Sequence, residues 1–109
     1  PNFFAMYGPG TNLAHAGSII FNSECQINYI CSAIEYMLSN NLKVIRVKPE
    51  IEKQYQDKFD VRHEKMVWQH PKVSSWYQNS KGKVVTTSPW RLVEYWNWTN
   101  NFNQDDYEF

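Results

Sequence analysis

The first apolar cluster along the chain is Phe3-Phe4-Ala5-Met6-Tyr7, closed by Gly8-Pro9-Gly10. A continuous apolar run bounded by turn residues predicts a strand over 2–7 buried on both faces. Residues 8–17 are rich in Gly, Thr and Asn and read as a loop. From about Ser18 to Asn40, Ile20, Ile27, Ile30, Cys31, Ile34, Met37 and Leu38 keep helical spacing, which predicts one long helix. Asn40-Asn41 offers it a left-handed stop. Val44, Ile45 and Val47 predict a short strand. Pro49 suits the first position of a second helix, with Glu50 and Glu52 in its first turn. That helix is expected to reach about Met66, with Ile51, Tyr55, Phe59 and Met66 on its one apolar side and a solvated charged face elsewhere. Residues 73–77 and 83–87 read as two strands of a hairpin around Asn79-Ser80-Lys81-Gly82. After Pro89, Leu92, Tyr95, Trp96, Thr99 and Phe102 recur at helical spacing and predict a last helix. The acidic tail from Gln104 to Phe109 is expected to be loose. This order of elements predicts an α+β fold.

At 109 residues the chain makes one domain. Its 42% apolar and 20% charged residues are ordinary globular values, whereas 17% aromatic is high. Eleven basic residues balance eleven acidic ones. That argues against nucleic acid as a partner, which needs a basic excess, and against a polybasic membrane anchor. No run approaches the eighteen or so apolar residues of a membrane span. The charge is uneven: residues 1–40 hold only Glu24 and Glu35. An almost uncharged first third, opening on Pro1, reads as an interior piece of a longer protein. Cys25 and Cys31 are six residues apart on the predicted helix, about 9 Å along its axis. They are too far apart to bridge, so reduced, buried thiols in a cytoplasmic protein are the expectation. Asn97-Trp98-Thr99 fits a glycosylation sequon, a pattern common by chance.

Much chemistry is absent from the pattern. Gly8, Gly10, Gly17 and Gly82 form neither a GxGxxG turn nor a phosphate-binding loop. The two cysteines with His15, His63 and His70 have no zinc spacing, and no serine sits in a nucleophile elbow. No catalytic constellation is visible. The informative segment is the junction from Tyr7 to Ser18, where a predicted buried strand runs through small residues into a long helix. Ligands of open α/β sheets sit beyond the carboxyl ends of strands, and helix starts offer unpaired N–H groups. The same junction also reads as a plain strand-to-helix turn. His15 in this loop reads either as a polar neighbour of a ligand or as a capping residue, while His63 and His70 read as surface residues. Trp76, Tyr77, Trp90, Trp96 and Trp98 read as core or interface aromatics, or else as the lining of a substrate pocket.

Pro1-Asn2-Phe3-Phe4, the stretch Tyr7-Gly8-Pro9-Gly10-Thr11-Asn12-Leu13-Ala14-His15 and Ser18-Ile19-Ile20 resemble the last FAD-domain segment of class B flavoprotein monooxygenases, which include the Baeyer–Villiger and flavin-containing monooxygenases. That segment reads approximately PNLFxxxGPNTNLGHGSII, and this chain has Gly10 for the usual Asn and one extra small residue before Ser18. Glu24-Cys25-Gln26, Tyr29-Ile30, Ser74-Ser75-Trp76-Tyr77, Lys81-Gly82-Lys83, Thr86-Thr87, Ser88-Pro89-Trp90, Tyr95-Trp96 and Asp106-Tyr107-Glu108 extend the resemblance along the whole chain.

The resemblance implies the C-terminal fragment of an FAD/NAD(P)-binding Rossmann-type flavoprotein. Residues 1–48 would be the last strand and helix of the FAD domain, and residues 49–109 a helix, hairpin and aromatic-rich tail. It implies a parent enzyme that uses FAD, NADPH and O2 to oxygenate a ketone or a heteroatom of a small organic substrate. Gly8, Pro9 and Gly10 would then allow close approach to the flavin, with Asn12 and Leu13 facing its pyrimidine edge. The dinucleotide-binding loops and the catalytic groups would lie upstream. On this reading the fragment is inactive alone, its partner is the upstream part of its own parent chain, and its exposed apolar surface can self-associate. A free-standing aromatic-rich binding module and a structural lid are the competing expectations.

Overall fold

A computed structural model describes residues 1–14 and 17–109. The expectation for His15 therefore lies outside the described residues.

Helix α1 spans Ile19–Ser39, and the Ser18 side chain accepts the Phe21 N–H at its start. It stops where expected. Asn41 adopts a left-handed conformation (φ 54), and Leu42 N–H closes the end on Met37 O at 2.8 Å. A two-residue strand β1, Arg46–Val47, follows. Helix α2 is Pro49–His63, with Pro at its first turn beside Glu50 and Glu52. It ends three residues before Met66, and a 3-10 turn at Val67–Gln69 takes over. Helix α3 is Leu92–Thr99. A 3-10 turn at Gln104–Asp106 leads into strand β2, Tyr107–Glu108, antiparallel to β1. The described residues thus form an α+β arrangement of three helices and one two-stranded sheet.

Several expectations are corrected. Residues 2–7 form no strand: Asn2 (φ 59) and Tyr7 (φ 51) are both left-handed, which breaks extended pairing. Asn2 alone ties them to the segment before β1, its N–H donating to Ile45 O at 3.1 Å, its Oδ1 accepting the Ile45 N–H at 2.9 Å and its Nδ2 donating to Lys43 O at 3.0 Å. The hairpin over 73–87 shrinks to a turn. Gln78 and Val84 form a single bridge, and Asn79 N–H reaches Lys83 O at 2.8 Å. The tail is tied down rather than loose. Lys48 N–H bonds to Asp106 O, Tyr107 pairs with Val47, and the Tyr29 and Tyr107 hydroxyls meet at 2.8 Å. Phe102 packs on Tyr29 and Tyr36 at ring-centroid distances of 5.6 and 5.7 Å, which anchors the same segment.

Helix α1 also faces the other way from its apolar stripe. Its buried residues are Asn22, Cys25, Gln26 and Ala33, whereas Ile20, Ile27, Ile34 and Leu38 are exposed. Cys25 is buried and Cys31 is exposed, so only one of the two free thiols is sheltered. His63 is likewise not a surface residue. It is buried, its Nε2 lies 2.9 Å from Thr87 O, and its ring packs on Phe59.

The core of the chain is small: Ile45, Phe59, Val84, Trp90, Cys25 and Ala33. The radius of gyration is 15.3 Å, against about 13 Å for a compact domain of this length. None of the helices among the described residues is long and apolar enough to cross a membrane.

Candidate functional site

The loop after Tyr7 is held by two backbone neighbours and one side-chain chain. Gly10 N–H donates to Val85 O at 3.1 Å, and Asn12 N–H to Thr86 O at 3.0 Å. Ser88 N–H returns a bond to Asn12 O at 2.9 Å, so Asn12 and Thr87 form a parallel bridge. This puts the loop beside residues 85–88, a segment buried at Thr87 and Ser88 and followed by the buried Trp90. Helix α2 closes the other side. Phe59 lies between Tyr55 and His63, and Trp90 donates from Nε1 to the Tyr55 hydroxyl at 3.1 Å. Arg62 stacks over Trp90 and pairs with Glu94 at 2.7 Å, joining α2 to α3.

The side-chain chain runs from α3 to the loop. The Tyr95 hydroxyl accepts from Gln26 Nε2 at 2.9 Å, and Gln26 Oε1 accepts the Tyr7 N–H at 2.9 Å. Tyr7 donates its hydroxyl proton to Asn12 Oδ1 at 2.8 Å and accepts the Leu13 N–H at 3.4 Å. Burial pushes the Tyr95 hydroxyl above the ordinary tyrosine range, so it stays protonated at neutral pH.

The residues expected at a cofactor fall into three groups. Gly8 and Gly10 serve close approaches within the chain: an added Cβ would meet Ala5 Cβ at 3.0 Å and the Phe59 ring at 2.8 Å respectively. Pro9 is exposed. Asn12 and Leu13 are half-buried, and neither lies at a helix start, since α1 is capped at Ser18. The Asn12 N–H is spent on Thr86 and the Leu13 N–H is weakly held by the Tyr7 hydroxyl, while the Asn12 Oδ1 accepts from Tyr7 and leaves its Nδ2 as a donor. Residues 1–14 carry no charged side chain. Beside the loop, a cleft of roughly 570 Å³ is lined by Phe3, Phe4, Thr11, Gln26, Tyr29 and Tyr95 among others.

Gln26 and Tyr95 stood in the sequence only as positions of the resemblance and of a helical spacing, not as residues of the loop's surroundings. The available signal was Asn22 and Gln26, one helical turn apart, but nothing in the pattern said that this polar face turns inward. The tryptophans do not converge. Trp90 packs with Tyr55 and Trp98, whereas Trp76 is 85% exposed and stacks on Tyr77. No group of His, Cys, Asp and Glu among the described residues could hold a metal ion.

Over its whole length the chain is homologous to a C-terminal piece of monooxygenases, Baeyer–Villiger monooxygenases among them. It is 42% identical over 107 residues, 98% of the chain, to "Uncharacterized monooxygenase y4iD" of Sinorhizobium fredii. It is 30% identical over 99 residues to the FAD-binding monooxygenase ktnD of Aspergillus niger, and 30% identical over 96 residues to a Baeyer–Villiger monooxygenase of Pseudomonas aeruginosa. These matches cover 87% and 84% of the chain. The chain spans only 16–18% of the length of these three relatives. No family model and no solved structure matches it.

Proposed function

We propose that the chain is the C-terminal part of an FAD- and NADPH-dependent monooxygenase that inserts oxygen into ketones or oxidises heteroatoms. The observation that carries this reading is the match of 87% and 84% of the chain to an FAD-binding and to a Baeyer–Villiger monooxygenase. Residues 1–48 then complete a Rossmann-type FAD domain whose strands lie upstream. The upstream part of the protein is the chain's partner, and the chain alone is inactive.

The donor set supports a flavin neighbour. Asn12 Nδ2 and the Leu13 N–H suit an edge made of acceptors, and the uncharged surroundings leave a developing negative charge there without carboxylate repulsion. The oxygen chemistry itself is supplied by FAD once NADPH has reduced it. The chain's own residues hold donors toward the pyrimidine edge, and Phe59 and Ala5 fix the backbone that presents them.

The test is the full reading frame. The purified product should carry a flavin, visible in its absorption spectrum, and should consume NADPH faster in the presence of a ketone or a thioether. A full-length product without bound flavin and without NADPH consumption refutes the reading.

A further inference from the structure

Tyr7 stands in a left-handed conformation (φ 51) that its Cβ disfavours. Its N–H is captured by Gln26 Oε1 at 2.9 Å. Gln26 is 9% exposed, and its other end donates to the Tyr95 hydroxyl, so the amide has one satisfied orientation. Tyr7 then has a single hydroxyl proton to place. The Leu13 N–H occupies one of its lone pairs, and the proton goes to Asn12 Oδ1. That choice turns the Asn12 Nδ2 donor away from Tyr7 and keeps Leu13 N–H within the same short arc of backbone.

We infer that Tyr7, Gln26 and Tyr95 are positioning residues, which hold the Asn12 amide so that its Nδ2 donor faces the cofactor's acceptor edge, and which couple that loop to helix α3. The inference rests on the flavin reading above and adds how its donors are oriented. It differs from a plain staple in one respect. A staple would stabilise the loop whatever the loop faces. A positioning chain changes the relative binding of oxidised and reduced flavin, because its donors bond more strongly to the anionic reduced form.

The experiment uses the full-length protein in four forms: wild type, Tyr7→Phe, Gln26→Met and Gln26→Glu. It measures the FAD dissociation constant, the flavin reduction potential and the thermal midpoint of the flavin-free protein. Tyr7→Phe should weaken FAD binding about fivefold, one hydrogen bond's net worth. It should also make the potential more negative, a change that a lowered flavin-free midpoint alone would not produce. Gln26→Met should repeat both cofactor effects. Gln26→Glu should restore the affinity for oxidised FAD, since a carboxylate accepts from both the Tyr7 N–H and the Tyr95 hydroxyl, while its added negative charge keeps the potential low. Should Gln26→Met fail to fold, Tyr7→Phe decides alone. Wild-type affinity and potential in Tyr7→Phe, with or without a lowered midpoint in Gln26→Met, overturn the inference and leave the flavin reading standing. A wild-type protein that takes up no FAD overturns both.

Discussion

Gly10→Ala tests how the loop is held. Gly10 has φ +73, and a Cβ built there lies 2.8 Å from Phe59 Cε2. Phe59 is 4% exposed and packed between Tyr55 and His63, so the ring has little room to retreat. Two costs add. The left-handed backbone costs an alanine about 1–2 kcal/mol, and forcing a methyl into a filled core costs about 1–3 kcal/mol. Gly82 separates the two, because it has φ +74 and nothing within 4 Å of its added Cβ. Gly82→Ala should therefore cost only the backbone share, leaving about 1–3 kcal/mol as the Phe59 share. Hydrogen exchange at the amides of residues 10 and 12 reads it, since both bond to the 85–86 backbone. Exchange there should speed up at least severalfold more in Gly10→Ala than in Gly82→Ala. Equal effects of the two substitutions would refute the packing of Gly10 on Phe59.

Further outcomes follow from the same structure. A maleimide should label exposed Cys31 quickly in the isolated chain and leave buried Cys25 until unfolding; equal labelling contradicts the orientation of α1. Tyr107→Ala should destabilise the chain by about 2 kcal/mol, through lost ring contacts and the Tyr29 bond, and should speed amide exchange around β1; an unchanged unfolding curve contradicts the docked tail. Burial raises the hydroxyls of Tyr29, Tyr55, Tyr95 and Tyr107 above their ordinary range. The folded state therefore holds these protons more tightly than the unfolded state. Their contribution to stability is complete below pH about 10 and is lost as pH rises through the folded values. A spectrophotometric titration should show these tyrosines ionising only with alkaline unfolding, and seven that titrate together near the ordinary value contradict it.

What the sequence made legible was local. The Ser18 cap, the Asn41 stop and Pro49 with Glu50 and Glu52 mark helix ends through interactions within a few residues, and those ends fall where expected. Strands need a neighbour. Residues 2–7 have the composition of a buried strand, yet only their two ends find partners, Asn2 at Lys43 and Ile45 and Tyr7 at the Gln26 side chain. The tail was misread for the opposite reason. An acidic segment looks soluble, but Tyr107 brings it a ring and a hydroxyl that Tyr29 and Phe102 receive from far along the chain. Helix α1 was found by its apolar stripe, which the structure leaves exposed. The face that packs on α3 is polar, and its fit depends on Gln26 meeting Tyr95, a pair 69 residues apart that no local pattern announces. In the loop, the close approaches of Gly8 to Ala5 and of Gly10 to Phe59 were not legible, because each depends on a partner that the local pattern does not point to.

In the proposed reading this chain supplies one edge of a flavin site whose remainder lies upstream. Titrating FAD into the isolated 109-residue chain and into the full-length protein, while following flavin fluorescence, tests it most directly. The few donors of Asn12 and Leu13 are worth roughly 1 kcal/mol each, against at least several kcal/mol of lost translational and rotational freedom. The isolated chain should therefore bind no more tightly than about millimolar, and the full-length protein far more tightly. Micromolar binding by the isolated chain, or none by the full-length protein, would contradict the claim.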